Sequence, residues 1–234
     1  MTTDPTSTDG QPLGKRGLQT REQILKAVAD CIERQGLRGL RLTDVATEVG
    51  FKPPAFYQYF SDLDEAILAL CEEIGHLIPA FPFPENGWNE EDVSAESTRT
   101  FVRRFFQYWD DHRAVLWSRN VAVTTGDARL QAVRDEAFRP MVEALRARIE
   151  AGQREGRVDP SISPRRLGSV LTVMLDRIGM LAPQLIKSSG NKGTDELVDA
   201  VTYVFDRVLG TRSDDASNRR RAAPIGRAGR RKRG

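Results

Sequence analysis

The segment that most constrains this chain is residues 41–60, RLTDVATEVGFKPPAFYQYF, which is typical of two short helices joined by a tight turn. Thr43 predicts the start of the first helix, because its hydroxyl can accept a hydrogen bond from an unpaired helix N–H group. Val45 and Ala46 begin an apolar pattern that fits one buried helix face. Gly50 is expected to end this helix, because glycine adopts the left-handed conformation at little steric cost.

A second, shorter helix is expected after the turn. Lys52 and Pro53 should stay extended, because proline fixes its own φ and disfavours the α region for the residue before it. Pro54 suits the first position of the new helix. Phe56 and Phe60 are four residues apart and predict its buried face. Two helices that cross over a short turn form a helix-turn-helix, whose second helix fits a DNA major groove.

The same segment resembles the TetR family of bacterial repressors over about residues 18–70. The resemblance rests on a T-x-x-[IV]-A helix, a glycine and a short helix rich in aromatic residues. The residues that carry it are Thr43, Ala46, Gly50, Tyr57, Tyr59, Phe60, Ser61, Asp62, Asp64 and Glu65. It implies an all-α protein, with an N-terminal three-helix DNA-binding domain and a C-terminal helical bundle for ligand binding and dimerisation.

A set of eight residues is predicted to contact DNA. The resemblance implies that Tyr57 and Tyr59 place their hydroxyls on phosphates, and ordinary packing with solvated hydroxyls is the alternative. Thr43 offers a hydroxyl and a helix N-terminus to a phosphate. Lys52 suits guanine acceptors and Gln58 suits adenine. The predicted DNA-binding residues are Arg41, Thr43, Lys52, Pro53, Ala55, Tyr57, Gln58 and Tyr59.

The charge of the chain is distributed unevenly. The net charge is +2, but residues 212–234 alone hold nine Lys and Arg against two Asp and Glu. We expect this Arg- and Gly-rich tail to be disordered, either simply solvated or acting as an arm that binds DNA phosphates. The DNA-binding segment is not strongly basic, so phosphate contacts are expected from a few local cations: Lys15, Arg16, Arg21, Arg38, Arg41 and Lys52.

The helical pattern divides the chain into four parts. These are a disordered leader (1–17), the helix-turn-helix domain (18–62), a ligand-binding and dimerisation domain (63–211) and the tail (212–234). Thr20 is expected to cap the first helix and Ser61 the fourth, which Pro79 should end. Five further helices are predicted at about 94–111, 113–124, 127–153, 164–186 and 194–209, which makes about nine helices and no strand.

The C-terminal bundle carries a group of aromatic and polar residues that could line a cavity. Phe105 and Trp109 share one helix face, and a plain hydrophobic core is the alternative interpretation. The layout is similar to the EthR-like branch of the family, which implies an elongated apolar ligand. The predicted pocket residues are Phe105, Trp109, Trp117, Phe138, Met141, Thr172, Asp176 and Met180. Asp176 and Arg177 are neighbours that do not face each other on a helix, so each is expected to have a different partner. That partner is either an oppositely charged side chain in a structural salt bridge or the polar end of a ligand.

The last two predicted helices are apolar on more than one face, which favours a four-helix interface between two subunits. We expect Leu171, Leu175, Val201 and Phe205 to form it. A homodimer would hold two recognition helices about 34 Å apart and would bind a palindromic operator.

These patterns predict a cytoplasmic, ligand-responsive repressor that binds double-stranded DNA and a small apolar or amphipathic effector. A constitutive or architectural DNA-binding dimer without an effector is the alternative. No apolar run approaches the roughly 20 residues of a membrane span, so no membrane is expected. No metal or cofactor is expected, because the two histidines have no metal-ligand partners at useful spacing. No catalytic residue is expected, because the sequence has no Gly-rich phosphate loop and no G-x-S-x-G motif. Cys31 and Cys71 are interpreted as buried thiols, with a redox pair as the alternative.

Overall fold

The computed structural model describes residues 6–80, 95–187 and 193–210. These residues contain nine α-helices and no strand beyond an isolated bridge between Thr6 and Pro12. The helices are α1 (Lys15–Gln35), α2 (Leu42–Val49), α3 (Pro53–Phe56), α4 (Leu63–His76), α5 (Ala95–Asp111), α6 (Arg113–Thr124), α7 (Ala128–Arg154), α8 (Pro164–Ile186) and α9 (Gly193–Leu209). The predicted all-α fold is confirmed. The expectations for residues 1–5 and for the tail (212–234) lie outside the described residues.

Helix α1 begins at Lys15, five residues before the predicted start at Thr20. The Thr20 hydroxyl does not cap the helix and instead donates to the Arg16 carbonyl inside it, at 3.1 Å. Residues 15–17 therefore belong to α1 and not to the predicted leader. No proline interrupts the chain between Gly14 and Thr20, so nothing prevents the helix from extending upstream.

The helix-turn-helix is formed by α2 and α3. The N-cap of α2 is Arg41 and not the predicted Thr43, which is the second residue of the helix. Gly50 ends α2 in the left-handed region at φ 82° and ψ 28°, as predicted, and its N–H donates to the Ala46 carbonyl. Helix α3 begins at Pro53 instead of the predicted Pro54, because the first N–H groups of a helix need no intrahelical partner and both prolines are tolerated there.

Helix α4 leads from the DNA-binding domain into the bundle. Its N-cap is Asp62 and not the predicted Ser61: the Asp62 carboxylate accepts from the Glu65 N–H at 2.8 Å. The Glu65 carboxylate in turn accepts from the Ser61 N–H at 2.6 Å. The arrangement is close to a capping box, except that Glu65 accepts from the residue before the N-cap, and it defines where α4 starts. The helix ends at His76, before Pro79.

The five helices of the C-terminal bundle lie within one residue of their predicted boundaries. Helix α7 is the longest, and it packs against α4 on one side and α8 on the other. Pro140 lies inside α7, where it lacks an N–H group for the Glu136 carbonyl. The bundle core therefore surrounds one long helix that touches both the α4 connector and the C-terminal pair.

The four residues predicted at the dimer interface are instead buried in the protomer's own core, which is a correction. Leu171, Leu175, Val201 and Phe205 are each at most 3% exposed. Both α8 and α9 are apolar on two faces, and the sequence pattern alone does not tell the inner face from the outer one. The outward apolar residues are Val170, Val173, Tyr203 and Val204.

By length and composition alone α8 could also cross a membrane, a test that core helices of soluble proteins pass as well.

Candidate DNA interface and effector cavity

The eight predicted DNA-binding residues lie on the start of α2, the turn and the α3 segment. Six of them are exposed, including Tyr57 at 50%, and Ala55 and Tyr59 are partly buried. Phe56 and Phe60 are buried and their ring centroids are 5.6 Å apart, which confirms that they are core residues. The buried pair anchors α3, so the polar residues between and around it face outward.

The recognition element is short, because α3 has only four residues and Tyr57 continues it with one more helical residue at φ −68°. A segment that sequence reasoning missed lies against its end. The Thr8 hydroxyl donates to the Tyr57 carbonyl at 2.8 Å, and the Thr8 N–H donates to the Gln58 carbonyl at 3.2 Å. We call residues 6–12 the N-terminal hairpin. Its signal in the sequence was Asp9-Gly10, a turn dipeptide, and Gly10 has φ 76°.

The cations near this surface differ in their availability. Lys15, Arg16, Arg41 and Lys52 are exposed, and none forms an ion pair within the described part of the chain. Arg21 is not available as predicted, because it forms an ion pair with Glu73 and lies 5.2 Å from the Phe60 ring centroid. The N-terminus of α2 has no side-chain cap, so its first N–H groups can bind an anion.

Two cavities flank α7. The larger, about 740 Å³, lies between α4 and α7 and is lined mainly by small apolar residues together with Met141. The other, about 520 Å³, lies between α7 and α8. Phe138, Thr172 and Asp176 all line this α7/α8 cavity. Four of the eight predicted pocket residues therefore line a cavity, and three of these share the same one.

The remaining predicted pocket residues do not line either cavity. Phe105, Trp109 and Met180 are buried in the adjoining core, where the Phe105 ring centroid is 6.3 Å from that of Phe138. Trp117 is 39% exposed, contrary to the prediction that it lines the pocket. Helix α6 turns a different face inward, and its buried residues are Val115, Leu116, Arg119 and Asn120.

A buried charged pair links α6 to α8. Arg119 is 1% exposed, and its Nη2 atom lies 3.9 Å from the Oδ1 atom of Asp176. Asn120 donates from Nδ2 to the other carboxylate oxygen at 3.0 Å. Burial raises the pKa of Asp176, and the nearby Arg119 opposes that rise. Arg119 was missed in the sequence, although its position between the apolar residues of α6 was a signal.

The prediction that Asp176 and Arg177 have different partners is confirmed. Asp176 faces Arg119 and Asn120 on α6. Arg177 is exposed and donates from Nη1 to the Met180 sulfur at 3.1 Å. Only Asp176 lines the α7/α8 cavity, so only this member of the pair is placed to meet a ligand.

Two family descriptions match this chain. "Bacterial regulatory proteins, tetR family" matches residues 24–70, and "Tetracyclin repressor-like, C-terminal domain" matches residues 85–212, more than half of the chain. The chain belongs to the TetR family of transcriptional regulators. Members of this family are non-enzymatic DNA-binding proteins that act as dimers with small-molecule ligands.

Individual relatives are also transcriptional regulators. An uncharacterized HTH-type transcriptional regulator of Bacillus subtilis strain 168, YdgC, is 23% identical over 166 residues, which are 70% of this chain and 80% of YdgC. The crystal structure of FadR from Bacillus subtilis in complex with stearoyl-CoA matches with a TM-score of 0.61 at 14% identity, covering 80% of this chain and 98% of FadR. FadR from Bacillus halodurans, a fatty acid degradation regulator, matches with a TM-score of 0.61 at 15% identity, covering 83% of this chain and 96% of that FadR. These structural matches show the shared TetR fold.

The cysteines of this TetR-family protein are buried and unpaired, as predicted. Burial raises the pKa of Cys31 and raises that of Cys71 to about 11, so both thiols are protonated at neutral pH. Among the described residues, no group of three or more His, Cys, Asp or Glu side chains could hold a metal ion.

Proposed function

We propose that this protein is a ligand-responsive repressor that acts in the cytoplasm. A homodimer would bind a palindromic double-stranded operator through residues 41–60 and release it when a small apolar or amphipathic effector occupies the α7/α8 cavity. The observation that carries this proposal is that the cavity lies along α7, the helix that also contacts α4. No cofactor is part of the proposed mechanism.

The DNA side of the proposal rests on exposure and charge. Lys52 and Gln58 are exposed on the recognition element and suit base edges. Arg41 and Thr43, together with the uncapped start of α2, suit phosphates. The proposed contact set is the predicted one: Arg41, Thr43, Lys52, Pro53, Ala55, Tyr57, Gln58 and Tyr59.

The dimer side of the proposal uses the outer faces of α8 and α9. Val170 and Val173 are 61% and 64% exposed, and Tyr203 is 60% exposed. Large apolar side chains this exposed on adjacent helices are typical of a subunit interface. We therefore assign the four-helix interface to these outward residues, in place of the four that the protomer buries.

Coupling between effector and operator would run through α7 and α4. Ala137 of α7 touches Gly75 of α4 without room for another methyl group. Arg129 of α7 also donates to Asp64 in the first turn of α4 at 2.9 Å. A ligand that separates α7 from α8 would therefore move α4, which continues from the helix-turn-helix. Effector and DNA would oppose each other with a coupling free energy of about 1–3 kcal/mol.

The choice between the two cavities follows from their polar residues. The polar residues of the α4/α7 cavity are all exposed at its rim. The α7/α8 cavity reaches Asp176, which is buried and has a perturbed pKa. Its lining combines apolar residues such as Phe138 and Val142 with charged side chains of α7 and α8, a mixture that suits an amphipathic effector. Ionisable groups whose pKa is perturbed by burial cluster at functional sites. The α4/α7 cavity gives α4 space to move.

The test combines DNA binding with compound screening. Selected operator fragments should show a protected inverted repeat, and Lys52→Ala should lower affinity and relax specificity at the base that Lys52 contacts. Acyl or aromatic compounds should raise the melting temperature and release the DNA. Compounds that bind without releasing DNA would support the alternative of a constitutive dimer. The same alternative would gain support if deletion of residues 212–234 abolished all DNA binding while Lys52→Ala had no effect.

A further inference from the structure

A cluster of buried polar atoms lies beside the α7/α8 cavity, where α5, α6 and α8 meet. Five of its atoms have no hydrogen-bond partner among the described residues: Tyr108 Oη, Trp109 Nε1, Arg119 Nη1, Arg119 Nη2 and Asp176 Oδ1. The four residues are each at least nine-tenths buried. Buried polar atoms are normally paired, so this concentration in one place points to a function.

The cluster adjoins the cavity through two of the cavity's own residues. Asp176 belongs to both. Phe138 lines the cavity, and its ring centroid is 5.9 Å from the Arg119 guanidinium carbon. The Phe138 ring therefore lies beside both the guanidinium and the cavity.

The cluster has more donors than acceptors. Indole and guanidinium nitrogens only donate, a tyrosine hydroxyl can donate, and a carboxylate only accepts. Arg119 Nη2 and Asp176 Oδ1 face each other at 3.9 Å, as an ion pair that is longer than a hydrogen bond. The other three unpartnered atoms, Tyr108 Oη, Trp109 Nε1 and Arg119 Nη1, can all donate. The second oxygen of Asp176 is already occupied by Asn120. The group that best complements this cluster is an oxygen that accepts hydrogen bonds.

We infer that the α7/α8 cavity binds an apolar chain that ends in an acceptor oxygen, which is held by Tyr108, Trp109 and Arg119. The oxygen belongs to a neutral carbonyl or to a carboxylate, and a head group that only donates, such as an ammonium, is rejected. This inference rests on the proposed effector function and specifies the chemical class of the effector. A carboxylate would also pair with the Arg119 charge, whereas an ester carbonyl would use the donors alone.

The test is calorimetric titration of the full-length, DNA-free protein with methyl decanoate, decanoate and decylammonium. We expect at least one of the two oxygen-bearing compounds to bind at least about tenfold more tightly than decylammonium. Comparison of the ester with the carboxylate then separates a neutral carbonyl from an anion. Equal or tighter binding of decylammonium would overturn the inference, and so would the failure of both oxygen-bearing compounds to bind.

Tyr108→Phe removes one donor and keeps the ring. We expect it to weaken binding of the preferred compound by about 3- to 10-fold without lowering the melting temperature of the free protein. The matched control is Thr98→Val, which removes another buried, unpartnered hydroxyl of α5, about 15 Å along the helix from Tyr108. Equal effects of the two variants would contradict the role of Tyr108. Because no DNA is present, these outcomes are independent of whether the bound compound releases an operator.

Discussion

Gly75 of α4 lies so close to Ala137 of α7 that a Cβ atom at Gly75 would be 2.8 Å from the Ala137 Cβ. Neither of these atoms is the end of a flexible side chain, so any added methyl group must push the two helices apart. The separation of α4 and α7 is therefore set at this point by the absence of a side chain. Since α4 continues from the helix-turn-helix, this contact is where a change in the bundle would reach the DNA-binding domain.

Gly75→Ala is expected to weaken operator binding about tenfold, because it shifts α4 as we propose the effector does. The free energy of unfolding should change little, since the helix gains about 1 kcal/mol of propensity and loses a similar amount to the clash. Fluorescence anisotropy with a labelled operator measures the affinity. The control is the double variant Gly75→Ala/Ala137→Gly, which restores the space and should restore affinity. Full affinity in the single variant would contradict this coupling route.

The outer face of α8 should control dimerisation. Val170→Glu/Val173→Glu is expected to give a folded monomer whose operator affinity is at least about a hundredfold lower, because the second half-site contact is lost. Sedimentation velocity reports the mass, and circular dichroism the fold. Leu175→Glu, on the inner face, should instead unfold the protein because it buries an unpaired charge. A dimeric Val170→Glu/Val173→Glu variant would show that another surface forms the interface.

Arg119→Met should destabilise the protein by about 3–5 kcal/mol, because it leaves the Asp176 carboxylate buried without its cation. The folded-state pKa of Asp176, already raised by burial, should rise further. Relative to the unmodified protein, the variant is therefore least destabilised below the unfolded pKa of about 4, and the difference grows as the pH rises through the folded pKa. Urea unfolding across this pH range measures the stability of the variant. Arg119→Met/Asp176→Leu should be far less destabilised, and a pH-independent single variant would contradict the argument.

The N-terminal hairpin should support the recognition element. Thr8→Val removes the hydroxyl that donates to the Tyr57 carbonyl, and we expect operator affinity to fall about 3- to 10-fold, in line with one lost hydrogen bond. The melting temperature should not change, because Thr8 is exposed. Ser7→Ala is the comparison, since the Ser7 hydroxyl bonds only within the hairpin, to Gln11. Equal affinities of Thr8→Val and the unmodified protein would rule out this role.

Cys71 should resist alkylation in the folded protein. With its pKa raised to about 11, about one thiol in a thousand is ionised at pH 8, against about one in ten at the ordinary value of 9.0. Iodoacetamide labelling followed by mass spectrometry should show slow modification of the native protein and rapid modification in guanidinium. Rapid native labelling, or a disulfide between Cys31 and Cys71 after mild oxidation, would instead favour the redox alternative.

Local signals in the sequence predicted most of the fold. Gly50, Pro164 and Pro79 mark helix boundaries through backbone chemistry that acts within a few residues. The errors at Thr43 and Ser61 are small. Asp62, next to Ser61, supplies the carboxylate that caps α4, whereas α2 begins after Arg41 with no side-chain cap. The late start of the first predicted helix has a similar cause, since Thr20 has the chemistry of a cap but bonds inside the helix.

The site was less predictable because it depends on contacts between distant residues. Nothing in the local pattern shows that Arg119 meets Asp176, which follows it by 57 positions. Leu171 and Leu175 could not be assigned to the inner face, because α8 is apolar on both. Trp117 illustrates the same limit, since an aromatic residue on an amphipathic helix is compatible with either face. In each case the packing of other helices decided the outcome.

Pro140 divides α7 into two segments with different attachments. The first contacts α4 through Arg129 and Ala137, and the second packs against α8 and α9 around Gly152 and Leu145. With one backbone hydrogen bond missing at the junction, α7 bends there more easily than elsewhere along its length. A bend at Pro140 would let the half of α7 that contacts α4 move while the half packed against α8 and α9 keeps its position.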